Sequence, residues 1–123
     1  MPLGTGEHEY TKFGVRDLVI NDAVDIVQVD VARMGGYTEI LKAAAITQAW
    51  NLKFAPHAME HMHSHLVSAL PNALFLERFM MFEDITNNIF IDPPMPNKGY
   101  LAVPDAPGLG LRLNMDFIHD NEE

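Results

Sequence analysis

VDIVQVDVARMGG, residues 24–36, is the stretch that decides the fold of this chain. It begins with a run rich in valine and isoleucine, which is typical of a strand buried on both faces of a sheet. Asp30 lies near the end of that run, and Gly35 and Gly36 then turn the chain towards a helix that Thr38 is predicted to cap. Because α/β folds carry their chemistry at the carboxyl tips of parallel strands, Asp30 is the first candidate functional residue.

The segments on either side of this stretch predict an alternation of strands and helices. The exit of a strand is expected within residues 1–10, and further strands are expected over residues 52–56 and 73–76. Helices are expected over residues 11–20 and 38–50. A histidine-rich turn over residues 58–65 is expected to run into a third helix that ends at residue 70. Such alternation implies a parallel sheet with right-handed crossovers. Most prolines fall after Arg78, where extended, irregular chain that wraps another surface is expected.

The apolar positions of the first two helices predict which face each one buries. In the first helix, Phe13, Leu18 and Val19 are able to face a core. In the second helix the predicted apolar stripe comprises Ile40, Leu41, Ala44, Ala45 and Ala49, with Trp50 as the packing end.

Composition excludes several classes of protein. The chain has 123 residues, a formal net charge of −9 and no cysteine. The negative charge argues against nucleic acid or an anionic membrane as a partner, because like charges repel. Without cysteine there is neither a disulfide scaffold nor a thiolate metal site. No apolar run approaches the ~20 residues that span a bilayer, and no signal peptide is recognisable, so a cytoplasmic protein is expected.

Polar residues stand at the successive strand ends: Glu7, Asp30, His57 and Glu77. Their separations are 23, 27 and 20 residues. A (β/α)₈ barrel of roughly 250 residues devotes about 30 to each unit, so these separations suit consecutive, slightly trimmed units. The four side chains would then point to one rim, which is half of a barrel's active-site face.

Two carboxylates and a histidine on one rim can support metal-assisted proton transfer. A histidine base needs an acceptor on its second ring nitrogen, and Asp30 at the neighbouring strand tip can provide it for His57. Glu7 is a candidate oxygen ligand for Mg²⁺. Glu77, if protonated, can donate a hydrogen bond to a substrate carboxylate. Each of these residues alone could instead cap a helix or bond locally, and only the regular spacing of all of them favours a shared site.

Five separated blocks resemble the barrel domain of the mandelate racemase branch of the enolase superfamily. In chain order they are GEHEYTKFG (6–14), VDIVQVDVARMGGYTE (24–39), KFAPHAM (53–59), PNALFLERF (71–79) and VPDAPGLGL (103–111). The resemblance implies the C-terminal part of a (β/α)₇β TIM-like barrel, from about strand 5 to strand 8. It divides the chain into βα units over residues 1–77 and a closing segment and tail over residues 78–123.

The same resemblance implies roles for the strand-end residues. Glu7 matches the third Mg²⁺ ligand, and Asp30 and His57 match a dyad that removes the proton next to a carboxylate. Glu77 matches the acid that hydrogen-bonds the carboxylate as it becomes an enediolate. His8 and Arg33 are candidates for substrate contact.

The resemblance also implies what this chain lacks. The capping domain and the strands with the other two metal ligands are absent, and one carboxylate does not hold Mg²⁺ tightly. A half barrel leaves open sheet edges, which favour association. We therefore expect a fragment that is inactive alone and that forms a homo-oligomer or pairs with the missing barrel half.

Within the family, the GEH block and the Asp–His pair are most similar to dehydratases of acid sugars. The implied substrate is an acid sugar or another 2-hydroxy acid, and the implied product is a 2-keto-3-deoxy acid. Racemisation or epimerisation is the alternative reaction, because the same dyad serves it together with a second base that lies outside this chain.

Two readings from other classes stay open. One is a zinc or nickel site, because histidines spaced i and i+4 share a helix face; its ligands would come from His57, His61, His63 and His65, with an oxygen from Glu60. The alternative to such a site is that His61, His63 and His65 are polar residues at the rim of a substrate pocket. A non-catalytic interaction module would instead use an adaptable apolar surface formed by Met59, Met62, Met80, Met81 and Phe82.

Overall fold

A parallel sheet lies at the centre of residues 1–78 in this computed structural model, which describes residues 1–122. Its strands are β1 (Gly4–Thr5), β2 (Ile26–Val27) and β3 (Lys53–Phe54), paired in that order. A parallel bridge from Phe54 to Ala73 continues the sheet where a further strand was expected. The strands are shorter than predicted, but their order and direction confirm the α/β class.

Helices connect the strands in the predicted alternation. They are α1 (Lys12–Ile20), α2 (Tyr37–Ala49) and α3 (Glu60–Ala69), with α1 and α2 in mutual contact. The histidine-rich segment is therefore mostly helix, because α3 begins at Glu60 rather than after His65. The core between sheet and helices includes Val27, Val29 and Ile40, which have no solvent exposure.

The cap predicted for α2 is wrong. Thr38 lies inside the helix, and Gly36 occupies the N-cap position with a φ of 111° and no side-chain cap bond. Glycine reaches that backbone conformation without the steric penalty that a Cβ imposes. The glycine pair therefore sets the start of α2, and the threonine does not.

The buried faces of the first two helices agree only in part with the predicted ones: Val19, Ile40 and Ala44 are buried as predicted, and Leu18 packs against the core. Phe13 and Leu41 are about half exposed, and Ala45, Ala49 and Trp50 are exposed as well. The buried residues are Val15 and Val19 in α1, and Ile40, Ala43, Ala44 and Thr47 in α2. Helical apolar periodicity therefore located both helices and part of each buried face, but it also included residues that the structure leaves exposed.

A second unit begins at Phe79 and holds more regular structure than expected. A short 3₁₀ turn at Met80–Phe82 leads into α4 (Glu83–Ile89) and β4 (Phe90–Ile91). β4 pairs antiparallel with β5 (Arg112–Leu113), and α5 (Met115–Asp120) follows. The prediction of extended, irregular chain fits the proline-rich part between β4 and β5 but fails on both sides of it. The division of the chain after residue 77, which the family resemblance implied, stays a prediction.

None of the helices in residues 1–122 has both the length and the apolar character needed to cross a bilayer.

Candidate active site

The backbone ladder brings the exits of β2 and β3 side by side. The amide of Ala55 donates to Val27 O at 3.1 Å, and the amide of His57 donates to Val29 O at 3.0 Å. Parallel pairing thus continues past the assigned strands to the two tips. Position 57 leaves the sheet next to the residue that precedes Asp30.

Three of the four predicted strand-end residues meet at these tips. His57 Nδ1 lies 2.8 Å from Glu77 Oε2 and 3.4 Å from Glu7 Oε2. The imidazole is largely buried, whereas the two carboxylates keep partial contact with solvent. An imidazole between two carboxylates is a site where a proton can be taken up and held.

Glu77 is held by two further groups of the same rim. Its Oε1 accepts a hydrogen bond from Gln28 Nε2 at 2.9 Å, and its Oε2 accepts one from the Ala58 amide at 3.0 Å. Sequence reasoning missed Gln28. The available signal was its position two residues before Asp30, because residues i and i+2 of a strand point to the same face.

Asp30 is buried at the tip of β2, as predicted. Its Oδ1 accepts a hydrogen bond from the Ala32 amide at 2.8 Å and lies 4.0 Å from His63 Nε2. The carboxylates that lie close to His57 Nδ1 are those of Glu77 and Glu7. The pairing of Asp30 with His57 therefore stays a prediction.

The environment of His63 differs from the predicted one. Its side chain is fully buried, so it is not a polar rim residue, and His61 is also buried. His63 Nδ1 lies 2.8 Å from Ala58 O, and the Val31 amide donates to Nε2 at 3.0 Å. Burial lowers the pKa of His63 below its ordinary value, and it lowers that of His61 too. A neutral imidazole is therefore favoured at both positions.

The arrangement of possible metal ligands limits how this site could hold a metal ion. Within the part of the chain that the structure describes, no three histidine, aspartate or glutamate side chains are arranged to hold a metal ion. Both ring nitrogens of His63 are bonded to backbone, which argues against the four-histidine metal site. Glu7 is partly exposed and close to His8 Nε2 at 3.2 Å, so it can act as one oxygen ligand among others.

The two candidate substrate contacts are accessible. His8 and Arg33 are both exposed, His8 beside Glu7 and Arg33 three residues beyond Asp30. Both positions therefore allow contact with an incoming anion.

Comparison with known proteins decides the family. The sequence matches the family described as enolase C-terminal domain-like over residues 1–117. This chain belongs to that family. The resemblance noted from its sequence blocks is thereby confirmed.

Several relatives of this chain are named as dehydratases. An L-rhamnonate dehydratase of Saccharopolyspora erythraea is 37% identical over 120 residues. The crystal structure of L-talarate dehydratase from Polaromonas sp. JS666, complexed with Mg and L-glucarate, is 31% identical with a TM-score of 0.86 over the whole of this chain. That of L-talarate/galactarate dehydratase from Salmonella typhimurium LT2 is 29% identical with a TM-score of 0.84 over 96% of it.

This family member is much shorter than those relatives. It spans 31% of the rhamnonate dehydratase, 32% of the Polaromonas structure and 29% of the Salmonella structure. The likeness therefore concerns one portion of each relative.

Proposed function

We propose that this chain forms the C-terminal catalytic portion of a Mg²⁺-dependent enzyme that removes the proton next to a carboxylate, as an acid-sugar dehydratase. The observation that supports this most directly is the contact of His57 with Glu77 and Glu7 at the tips of parallel strands, in a chain whose relatives are acid-sugar dehydratases. Histidine side chains commonly act as general bases in proton transfer of this kind.

His57 is the proposed base, and Asp30 its proposed orienting partner. For Asp30 to play that role, its carboxylate must reach the imidazole from the adjacent strand tip, and the backbone bond from His57 to Val29 supports this placement. An acceptor of this kind on the second ring nitrogen would fix the tautomer and the orientation of the imidazole. His57 would then hold the α-proton after taking it.

Glu77 is the proposed donor to the substrate carboxylate. Its Oε2 accepts from the Ala58 amide and lies 2.8 Å from His57 Nδ1. Its Oε1 accepts one hydrogen bond, from Gln28 Nε2, and an oxygen of this kind has room for another. A protonated Glu77 would donate to the developing enediolate at that free position. His8 and Arg33 are proposed to contact the polar groups and the negative charge of the acid.

These roles together account for the loss of water from the substrate. Removal of the α-proton converts the carboxylate into an enediolate, whose electrons then expel the β-hydroxyl. The proton held by His57 joins that hydroxyl, which leaves as water. The resulting enol becomes a 2-keto-3-deoxy acid.

Glu7 fits a magnesium site only as one ligand of several. Mg²⁺ prefers oxygen ligands in octahedral geometry, and bound there it would neutralise charge that builds up on the substrate carboxylate. Because the described residues offer no other carboxylate set for it, the remaining ligands must come from outside this chain. We therefore propose that the 123 residues alone are inactive.

A panel of aldonic and aldaric acids tests the proposal. The full-length protein is expected to release a 2-keto-3-deoxy acid from at least one of them with Mg²⁺ present, and to stop when a chelator removes the metal. Interconversion of epimers without any keto acid would instead establish the racemase alternative. Absence of both reactions across the panel would contradict the proposed function.

A further inference from the structure

We propose that His63 is a positioning residue that clamps the tips of β2 and β3 together and so fixes the geometry of positions 30 and 57. This inference rests on the function proposed above. The supporting observation is that the His63 imidazole is hydrogen-bonded to two backbone groups, the amide of Val31 and the carbonyl of Ala58. Each of these residues directly follows a proposed catalytic residue, Asp30 or His57.

The two bonds define a single tautomer. The Val31 amide can only donate, so Nε2 of His63 must be the unprotonated nitrogen. Ala58 O can only accept, so Nδ1 must carry the hydrogen. His63 is fully buried, and water therefore cannot replace either bond. A leucine of similar size would leave both backbone groups without a partner.

The loop that His63 clamps is strained. Ala58 and Met59 have φ values of 48° and 45°, which are unfavourable for residues with a Cβ. Such a turn persists only when its surroundings hold it. Ala58 is held at both ends, because its amide donates to Glu77 Oε2 while its carbonyl accepts from His63 Nδ1. The strained turn determines where the chain leaves His57.

The other end of the clamp lies beside Asp30. Val31 is buried, and its amide is oriented by His63 Nε2, which lies 4.0 Å from Asp30 Oδ1. His63 thus contacts the backbone of the residue that follows each member of the proposed dyad. It acts through those two residues, and no contact with substrate is required.

His63→Leu and His63→Gln in the full-length protein test the clamp. His63→Leu is expected to lower kcat by on the order of 100-fold, the cost of a displacement of about 1 Å, with KM changed less than about threefold. His63→Gln keeps an amide donor and a carbonyl acceptor, and it is expected to restore most of kcat. Ala43→Leu, which overfills the core at a buried position of α2, is the control for lost stability and should leave kcat unchanged at temperatures where it is folded.

NMR of the wild-type protein tests the clamp without relying on any variant folding. The ¹⁵N spectrum should show His63 with a protonated Nδ1 and an unprotonated Nε2, and the Val31 amide should exchange slowly with solvent. The opposite tautomer, or equal kcat in wild type and His63→Leu, would overturn the proposal.

A failure of the proposed function has a different signature. In that case the wild-type protein neither dehydrates nor epimerises any acid. The NMR resonances of the His57 ring then test the clamp independently of activity. They should move in His63→Leu and stay in place in His63→Gln. Resonances unmoved in both variants would overturn the clamp.

Discussion

At the scale of single residues, the structure assigns buried polar groups to partners that local sequence does not reveal. His57 is close to Glu77, which lies 20 residues away in sequence, and Glu77 also accepts from Gln28. The strand-end rule was sufficient to select His57 and Glu77 as candidates. It could not choose among partners, because side-chain rotamers at a shared rim depend on all of its members.

Glu39 provides a pH test at this scale. Its Oε1 accepts from the Lys12 amide at 3.1 Å and from Lys12 Nζ at 3.2 Å, and Lys42 Nζ donates to Oε2. The hydrogen bond from the Lys12 backbone, followed by those of Lys42 and Lys12, lowers the pKa of Glu39 to about 2 from 4.5. Since the folded-state pKa is depressed, the stability that this carboxylate contributes is complete above pH 4.5 and is lost as the pH falls towards 2.

Glu39→Gln should therefore lower the Tm at pH 7, because it keeps an acceptor oxygen but removes the charge. The difference in Tm from wild type should shrink as the pH is lowered from 4.5 to 2. Asp17→Asn is the control, since Asp17 is exposed and forms a surface ion pair with the adjacent Arg16. A difference in Tm that stays constant down to pH 2 would contradict this assignment.

At the scale of elements, α2 shows what periodicity can and cannot predict. Its length and position were predictable, because apolar residues at helical spacing lie between a glycine pair and Asn51. Its buried face was not, because Ala43, Ala44 and Ala45 are chemically equal and give the pattern no contrast. The contacts with α1 and β3 decide the face, and they become known only when the helices are assembled.

Two substitutions in that alanine run test the orientation of α2. Ala43→Leu should destabilise the protein by about 1–3 kcal/mol, because Ala43 has no exposed surface and the added atoms must displace core neighbours. Ala45→Leu is the matched control; it adds the same atoms on the exposed face and should change stability by less than about 0.5 kcal/mol. Denaturant unfolding measures both. Equal losses of unfolding free energy in the two variants would contradict the orientation of α2 described above.

At the scale of the whole molecule, each of the two units carries exposed apolar side chains. Phe13, Trp50 and Phe75 are about half exposed in the first unit, and Met80 and Met81 are exposed by more than 70% in the second. In the described residues, β1 pairs only with β2, so its other edge lacks a strand. Large exposed apolar groups and an open edge favour association.

The 123-residue chain expressed alone is therefore expected to associate. Sedimentation velocity should show species larger than the 13.8 kDa of one chain, with a proportion that rises with concentration. Lysine substitutions at Met80 and Met81 should reduce association if the second unit provides the surface. A monodisperse, well-folded monomer at high concentration would contradict this expectation.

The central claim is that His57, supported by its neighbours at the strand tips, removes the proton next to a carboxylate. Exchange of that proton with solvent deuterium measures this step directly, whether or not dehydration follows. With the full-length protein and an acid that it accepts, His57→Asn should lose exchange by a factor of at least ~100, as expected when a general base is removed. His119→Asn, an exposed histidine outside the site, should exchange at the wild-type rate. Exchange in His57→Asn at the wild-type rate would contradict the account.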